Sequence, residues 1–206
     1  PGRAHPYLYS NEEIRKLLQA ARRLPSTHGL RGRTYYCLLG LLAVTGLRIS
    51  EARNLQTEDV DLEEGVLTIR GAKFGKSRLV PIHPSTRKVL SDYATRRDHF
   101  LSKRPATFFV SGRGTRLDGA EIRRTFYILS RQIGLRGPSD SHGPRLHDFR
   151  HRFAVKTLVQ WYRLGLVVRR RLPVLSTYLG HVHVPDTYWY LCACPELMGL
   201  AVKRFE

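Results

Sequence analysis

Apolar positions along the chain follow two periods, and the switches between them mark out the architecture. Ser10 followed by Glu13 is a capping-box signature, and Ile14, Leu17, Leu18 and Ala21 then recur at helical spacing, which predicts a helix from about Asn11. A continuous apolar stretch at 37–47 predicts a largely buried helix over about 35–44. Thr45-Gly46-Leu47 should then turn the chain, with Arg48 at the turn, into a short helix over about 49–55. Between 59 and 84 the pattern changes: turn-forming Glu63-Glu64-Gly65 and Lys73-Phe74-Gly75-Lys76 punctuate β-leaning runs at 66–69 and 78–82. These predict a small antiparallel sheet with Lys73 near a hairpin tip.

Helical spacing returns over 86–100 and again over 119–133, where Ile122, Phe126, Leu129 and Ile133 share one face behind an Asp118 cap. Residues 136–145 are rich in Gly, Pro and Ser and read as a loop. Helices are expected after it over 147–161, 173–179 and 195–205; in the last, Leu197, Met198, Ala201, Val202 and Phe205 fall on one side. With no internal repeat, the expected fold is mainly α with a small antiparallel β-sheet, an α+β domain over 10–206, preceded by a linker remnant at 1–9.

Composition narrows the partners. A chain of 206 residues with 42% apolar side chains suffices for one substantial core. Its formal charge of +18 exceeds what solubility requires and points to a polyanion, with double-stranded DNA first. An anionic membrane surface is the runner-up, but the apolar run at 37–47 is too short to span a bilayer and contains Thr45 and Gly46, so no membrane partner is expected. Residues 1–9 lack the apolar segment of a secretory signal, so a cytoplasmic location is expected. Cys37, Cys192 and Cys194 are too few for a disulfide framework and should be reduced thiols.

The candidate chemistry lies in four stretches: Thr45-Gly46-Leu47-Arg48-Ile49-Ser50-Glu51, Lys73, His147-Asp148-Phe149-Arg150-His151, and Leu179-Gly180-His181 with Tyr190 nine positions on. Taken singly, each has an ordinary structural explanation, such as a solvated surface charge or a histidine at a helix start. Together they are more specific. His147 and Arg150, three apart, share one face near a helix N-terminus, where the backbone dipole favours an anion. Arg48 supplies a second planar fork of donors suited to phosphate oxygens. Two arginines on one phosphodiester would stabilise the added charge of a pentacoordinate transition state.

The ordered set Arg48, Lys73, His147-x-x-Arg150, His181 and Tyr190 resembles the catalytic series of the tyrosine recombinases of the phage-integrase type. The resemblance extends over Thr-Gly-Leu-Arg-Ile-Ser-Glu at 45–51, the Lys73 hairpin ending in Arg78-Leu79-Val80-Pro81, Leu-His-Asp-Phe-Arg-His at 146–151, and Leu-Gly-His at 179–181. Tyr-Trp-Tyr and Pro-Glu-Leu-Met after His181 are similar to transposon-encoded members. The resemblance implies the catalytic-domain fold of that family, without its N-terminal helical DNA-binding domain. It also implies that Tyr190 attacks the scissile phosphate to give a 3′-phosphotyrosyl link, with no metal, ATP or other cofactor.

In that scheme Arg48 and Arg150 hold the non-bridging oxygens and Lys73 protonates the departing 5′-oxygen. His147 accepts the tyrosine proton or orders the site, His181 hydrogen-bonds the phosphate, and Glu51 steadies the framework. Homo-oligomers, dimers or tetramers, are implied on DNA, with a C-terminal segment packed against a neighbouring protomer. Integration, excision and transposition remain equal options.

Four alternatives stay open at this level. Tyr188 competes with Tyr190, which the family's nine-residue step from histidine favours, and Lys76 competes with Lys73. The stretch 161–172, with Arg163, Arg169, Arg170 and Arg171, reads as an insertion for DNA contact or as a solvated helix face. His181-x-His183 with Cys192-x-Cys194 is poorly spaced for a structural zinc. For the whole chain, a DNA-binding protein without catalysis and a type IB topoisomerase are the competing functions.

Overall fold

The structure, a computed structural model, describes residues 6–26, 28–71, 77–101, 103–140 and 142–181, together with Thr187, Tyr190 and Leu197. Helix α1 (Asn11–Arg22) starts where the capping box places it: Ser10 Oγ accepts from the Glu13 amide, and the Glu13 carboxylate accepts from the Ser10 amide. Its buried face, Ile14, Leu17, Ala20 and Ala21, packs on α2 (Leu30–Thr45). Helix α2 begins five residues before the sequence expectation, behind Gly29 in the left-handed region at φ 67°. It is buried on most sides, because it also packs against α4 and α6.

A short α3 (Ile49–Asn54) and one 3-10 turn lead into a three-stranded antiparallel sheet of β1 (Val60–Asp61), β2 (Val66–Ile69) and β3 (Arg78–Pro81), in that order. Strands β2 and β3 match the two β-leaning runs. The two-residue β1 escaped notice because it is too short to show alternation. Helix α4 (Pro84–Phe100) follows, then α5 (Gly119–Gln132), whose Asp118 Oδ1 accepts from the amides of Ala120 and Glu121 at 2.8 and 2.9 Å, as its sequence position suggested.

Helix α6 (Asp148–Arg163) has His147 at its N-cap, and α7 (Val168–Leu179) closes the described fold. Pro173 was read as the start of the last of these helices, yet it lies inside α7. A proline there removes one backbone hydrogen bond. Val168, Leu172, Leu175 and Leu179 are nevertheless buried at helical spacing on both sides of it, so packing sustains the helix across the defect. The suggested insertion at 161–172 is accordingly the end of α6, a four-residue connection and the first turn of α7, with Arg169, Arg170 and Arg171 exposed.

Two apolar clusters result. The larger unites α1, α2, the sheet, α4, α5 and Phe149 at the start of α6. The smaller lies between α6 and α7 and includes Tyr190 and Leu197. Leu197 is 1% exposed in this cluster, so it is covered by its own chain; the rest of the helix expected over 195–205 lies outside the described residues. Residues 6–9, read as linker, carry Tyr9 into the larger cluster.

Candidate active site

The end of α2 positions the first arginine. Gly46 leaves the helix at φ 64°, and two residues later Arg48 caps α3 in extended conformation. Its amide donates to Glu51 Oε2 at 2.9 Å, its Nη1 to Glu51 Oε1 at 3.0 Å and its Nη2 to the Gly180 carbonyl at 3.3 Å. Arg78, at the start of β3, closes the other side of Glu51: Nη1 and Nη2 donate to the two carboxylate oxygens at 3.0 and 2.9 Å, and Nε donates to the Tyr178 carbonyl at 2.8 Å. Burial alone would raise the Glu51 carboxyl, but the hydrogen bonds from Arg78 and Arg48 outweigh it and hold the group below its ordinary value.

Arg150, on the first turn of α6, is 2% exposed. Its Nη1 donates to the Gly46 carbonyl at 2.9 Å and its Nη2 to the Leu179 carbonyl at 2.7 Å. The ends of α2 and α7 thus fix one guanidinium from two sides. Burial, and then the positive charge of Arg48, push Arg150 down to about 10, while Tyr190 and Glu51 pull in the opposite direction. The Tyr190 side chain also hydrogen-bonds Arg150. The mutual repulsion of Arg48 and Arg150, only partly offset by Glu51, suits the pair to an anion.

Tyr190 is 3% exposed. Its ring stacks on His181 with centroids 5.9 Å apart and lies 5.5 Å from His151, which in turn meets the His147 ring edge-on at 4.7 Å. Thr187 Oγ1 lies 2.8 Å from His181 Nδ1 and orients that imidazole. Burial and the charge of Arg150 lower His147, an effect Asp148 only partly opposes. Burial and His147, with Arg145, Arg150 and His181 beyond, push His151 down to about 4. Both rings are therefore neutral at neutral pH.

The structure brings together five of the six residues selected from sequence: Arg48, His147, Arg150, His181 and Tyr190. Lys73, Lys76, Tyr188, His183, Cys192 and Cys194 lie outside the described residues. Among the described residues no group of three or more His, Cys, Asp or Glu is placed to hold a metal. No described helix is long and apolar enough to cross a membrane. Cys37 is buried, which pushes its thiol up to about 12. Beside Arg48 and Glu51 a cleft of about 550 Å³ opens between α3 and β2, lined also by Ser50, Asn54, Thr68 and Arg70.

Sequence reasoning gave no role to three supporting residues. Arg78 and His151 stood inside quoted motifs, but nothing in their spacing disclosed what they touch. Tyr9 stood in the presumed linker, yet its ring stacks on Phe149 with centroids 4.8 Å apart and its hydroxyl donates to the Arg145 carbonyl at 3.0 Å. Its own carbonyl accepts from Arg152 Nε at 2.7 Å. The chain entering α1 is thereby clamped to the turn of α6 that presents His147 and Arg150.

The chain is similar in sequence and fold to known proteins. The protein y4rB of Sinorhizobium fredii, named as an integrase/recombinase, is 59% identical over 211 residues, covering 100% of this chain and 67% of the relative. Tyrosine recombinase XerA of Pyrococcus furiosus is 29% identical over 201 residues, covering 97% of this chain and 62% of the relative. The chain thus spans about two thirds of the length of these curated relatives. The crystal structure of XerA recombinase superposes with a TM-score of 0.76 at 25% identity, over 100% of this chain and 66% of that one. The catalytic domain of bacteriophage HP1 integrase shares the fold with a TM-score of 0.60 at 23% identity, over 96% and 94% of the two chains. Residues 8–194 match the phage integrase family, and with the clustered arginines, histidines and tyrosine this chain belongs to that family of tyrosine recombinases.

Proposed function

We propose that this chain is the catalytic domain of a site-specific DNA recombinase that cuts and rejoins strands through a 3′-phosphotyrosyl intermediate at Tyr190. The observation that carries the reading is the placement of the Tyr190 phenol among Arg150, His151 and His181, with Arg48 reaching the Gly180 carbonyl beside them. The Tyr190 oxygen attacks phosphorus and the bond from phosphorus to the 5′-oxygen breaks. The phosphate stays on the 3′ strand end. His147, neutral at the outset, takes the phenolic proton or orders the site, and Lys73 gives a proton to the 5′-oxygen. Arg48 and Arg150 neutralise the non-bridging oxygens, and His181 donates to one of them.

Rejoining reverses the sequence, with the 5′-hydroxyl of a second strand as nucleophile. Because the phosphotyrosyl ester conserves the energy of the broken bond, no step calls for ATP or a metal. The net charge of +18 supports duplex DNA as the partner. Assembly of dimers or tetramers on DNA would bring two such strands together.

Covalent capture tests this reading. The protein is incubated with a library of nicked duplexes with randomised arms, and DNA that stays attached after denaturation is recovered and sequenced. Enrichment of one inverted-repeat sequence by the unaltered protein is expected. Tyr190→Phe should abolish attachment while retaining binding to the selected duplex. An adduct that survives in Tyr190→Phe would refute the assignment of the nucleophile.

A further inference from the structure

Among the residues assigned no chemical step, Arg78 links two separate supports of the site, Glu51 and the backbone before His181. Arg78 stands at the base of the β2–β3 hairpin, paired across the sheet with Ile69 where the strand leaves the 72–76 segment that carries Lys73. Its side chain is only 8% exposed, and its guanidinium makes three hydrogen bonds. Two run side by side to Glu51, the carboxylate that also receives the Arg48 amide and guanidinium. The third reaches the Tyr178 carbonyl, three residues before His181.

Paired donation from a planar fork to a carboxylate fixes angle as well as distance, which a lysine in the same place would not do. Gly180 adds to the constraint. It sits at φ 71°, and a β-carbon there would come within 2.7 Å of Arg78 Nη1 and 2.8 Å of Cζ. The guanidinium therefore lies directly against the backbone whose carbonyl receives Arg48 Nη2.

We infer that Arg78 is a positioning residue for strand cleavage: through Glu51 it aims Arg48 at the scissile phosphate, and through the Tyr178 carbonyl it sets the distance from that arginine to the His181 turn. The hairpin base, the first arginine and the histidine turn then move as one unit. Arg78 itself faces carboxylate and carbonyl oxygens with its three hydrogen bonds, so it acts on the phosphate only through the groups it positions, Arg48 first. This rests on the function proposed above.

The test uses the duplex recovered by covalent capture, made in two forms. One carries an ordinary phosphodiester at the scissile position and the other a methylphosphonate, which has no negative charge for Arg48 to neutralise. Single-turnover attachment is timed at saturating protein, and half-site affinity and melting temperature are measured alongside. Arg78→Lys should slow attachment to the phosphodiester roughly 10–100-fold, the scale of a small misplacement of a catalytic group. Half-site affinity should be retained, and the deficit should shrink on the methylphosphonate.

Glu51→Gln keeps the shape of the link and weakens both arginine contacts. It should show the same contrast between substrates, and adding it to Arg78→Lys should slow attachment little further, because both variants loosen one link. Equal deficits on the two substrates, no deficit, or full multiplication of the two effects would overturn the inference. If Arg78→Lys does not fold, the substrate contrast in Glu51→Gln alone decides. Absence of an adduct from the unaltered protein would instead overturn the proposed function, and this inference with it.

Discussion

Gly46→Ala isolates the geometry on which Arg150 depends. Gly46 adopts φ 64°, and a β-carbon there would stand 2.7 Å from Phe153 Cδ1, 3.1 Å from Phe153 Cγ and 3.2 Å from Leu179 Cδ2. The left-handed backbone alone costs a residue with a β-carbon about 1–2 kcal/mol. Crowding adds about 1–3 kcal/mol, because the Phe153 ring is stacked on Tyr178 at 5.5 Å and Leu179 is buried, so neither has free room to yield. A total near 3 kcal/mol should lower the melting temperature by roughly 6–12 °C in a chain of this size.

Gly134→Ala supplies the comparison: its φ is 78°, but nothing lies within 4 Å of the added carbon. It should lose only the backbone share, roughly 2–8 °C. Scanning calorimetry of both variants measures the difference directly. Because the Gly46 carbonyl accepts from Arg150, the first variant should also slow covalent attachment while the second leaves it unchanged. Equal loss of stability at 46 and 134 would show that the close approach to Phe153 is not maintained in solution, and the account of how Arg150 is held would fall with it.

Three further outcomes are expected. His151 is depressed in the fold, so its share of stability is fully present above the unfolded value near 6.5 and is lost as pH falls towards about 4; His147 is lowered too and adds to the decline, so denaturant titrations at pH 7 and pH 5 should show it and His151→Gln should reduce it without abolishing it, in a window above the range where Glu51 and Asp118 titrate. Tyr9→Ala should cost about 3–5 kcal/mol by emptying the space against Phe149, whereas Tyr9→Phe should cost only about 0.5–1.5 kcal/mol for the lost hydrogen bond, both read from unfolding midpoints. Lys73→Ala should slow attachment by roughly 10²–10⁴ and be restored by a 5′-thio leaving group, which needs no proton; the same behaviour from Lys76→Ala instead would transfer the role.

What the sequence disclosed were the local rules. The Ser10–Glu13 box, the Asp118 cap, the β-leaning runs of β2 and β3 and the apolar face of α5 depend on neighbours within a few positions, and the structure reproduces each. The start of α7 was misjudged because Pro173 is a strong local signal that burial of Val168 and Leu172 overrides. At the site, the identities and order of Arg48, His147, Arg150, His181 and Tyr190 were legible as a family pattern. What holds them was not. Arg150 is fixed by carbonyls at 46 and 179, Arg48 by one at 180, and Arg78 reaches a carboxylate at 51. Contacts across such separations leave no period in the sequence, and a tyrosine at position 9 that supports position 149 reads locally as linker.

The division of the interior into two clusters implies a hierarchy of opening. Arg150 bridges the two, from the Gly46 carbonyl at the end of α2 to the Leu179 carbonyl at the end of α7, while the Tyr190 ring is a member of the smaller cluster, formed by α6, α7 and Leu197. A small cluster can open at less cost than the whole fold, as cooperative units within one protein often do. Tyr190, the proposed nucleophile, can thus be disengaged while the larger cluster and the start of α6 stay folded, and re-engaged on the time scale of local rather than global refolding. In amide hydrogen exchange this would appear as two protection tiers, the interior of α2 releasing its protons only on global unfolding and the later turns of α6 and α7 exchanging sooner. Anything that seats on the surface of that smaller cluster would shift the fraction of molecules with Tyr190 in place, and through the Leu179 and Gly180 carbonyls at the end of α7 it would also bear on Arg150 and Arg48.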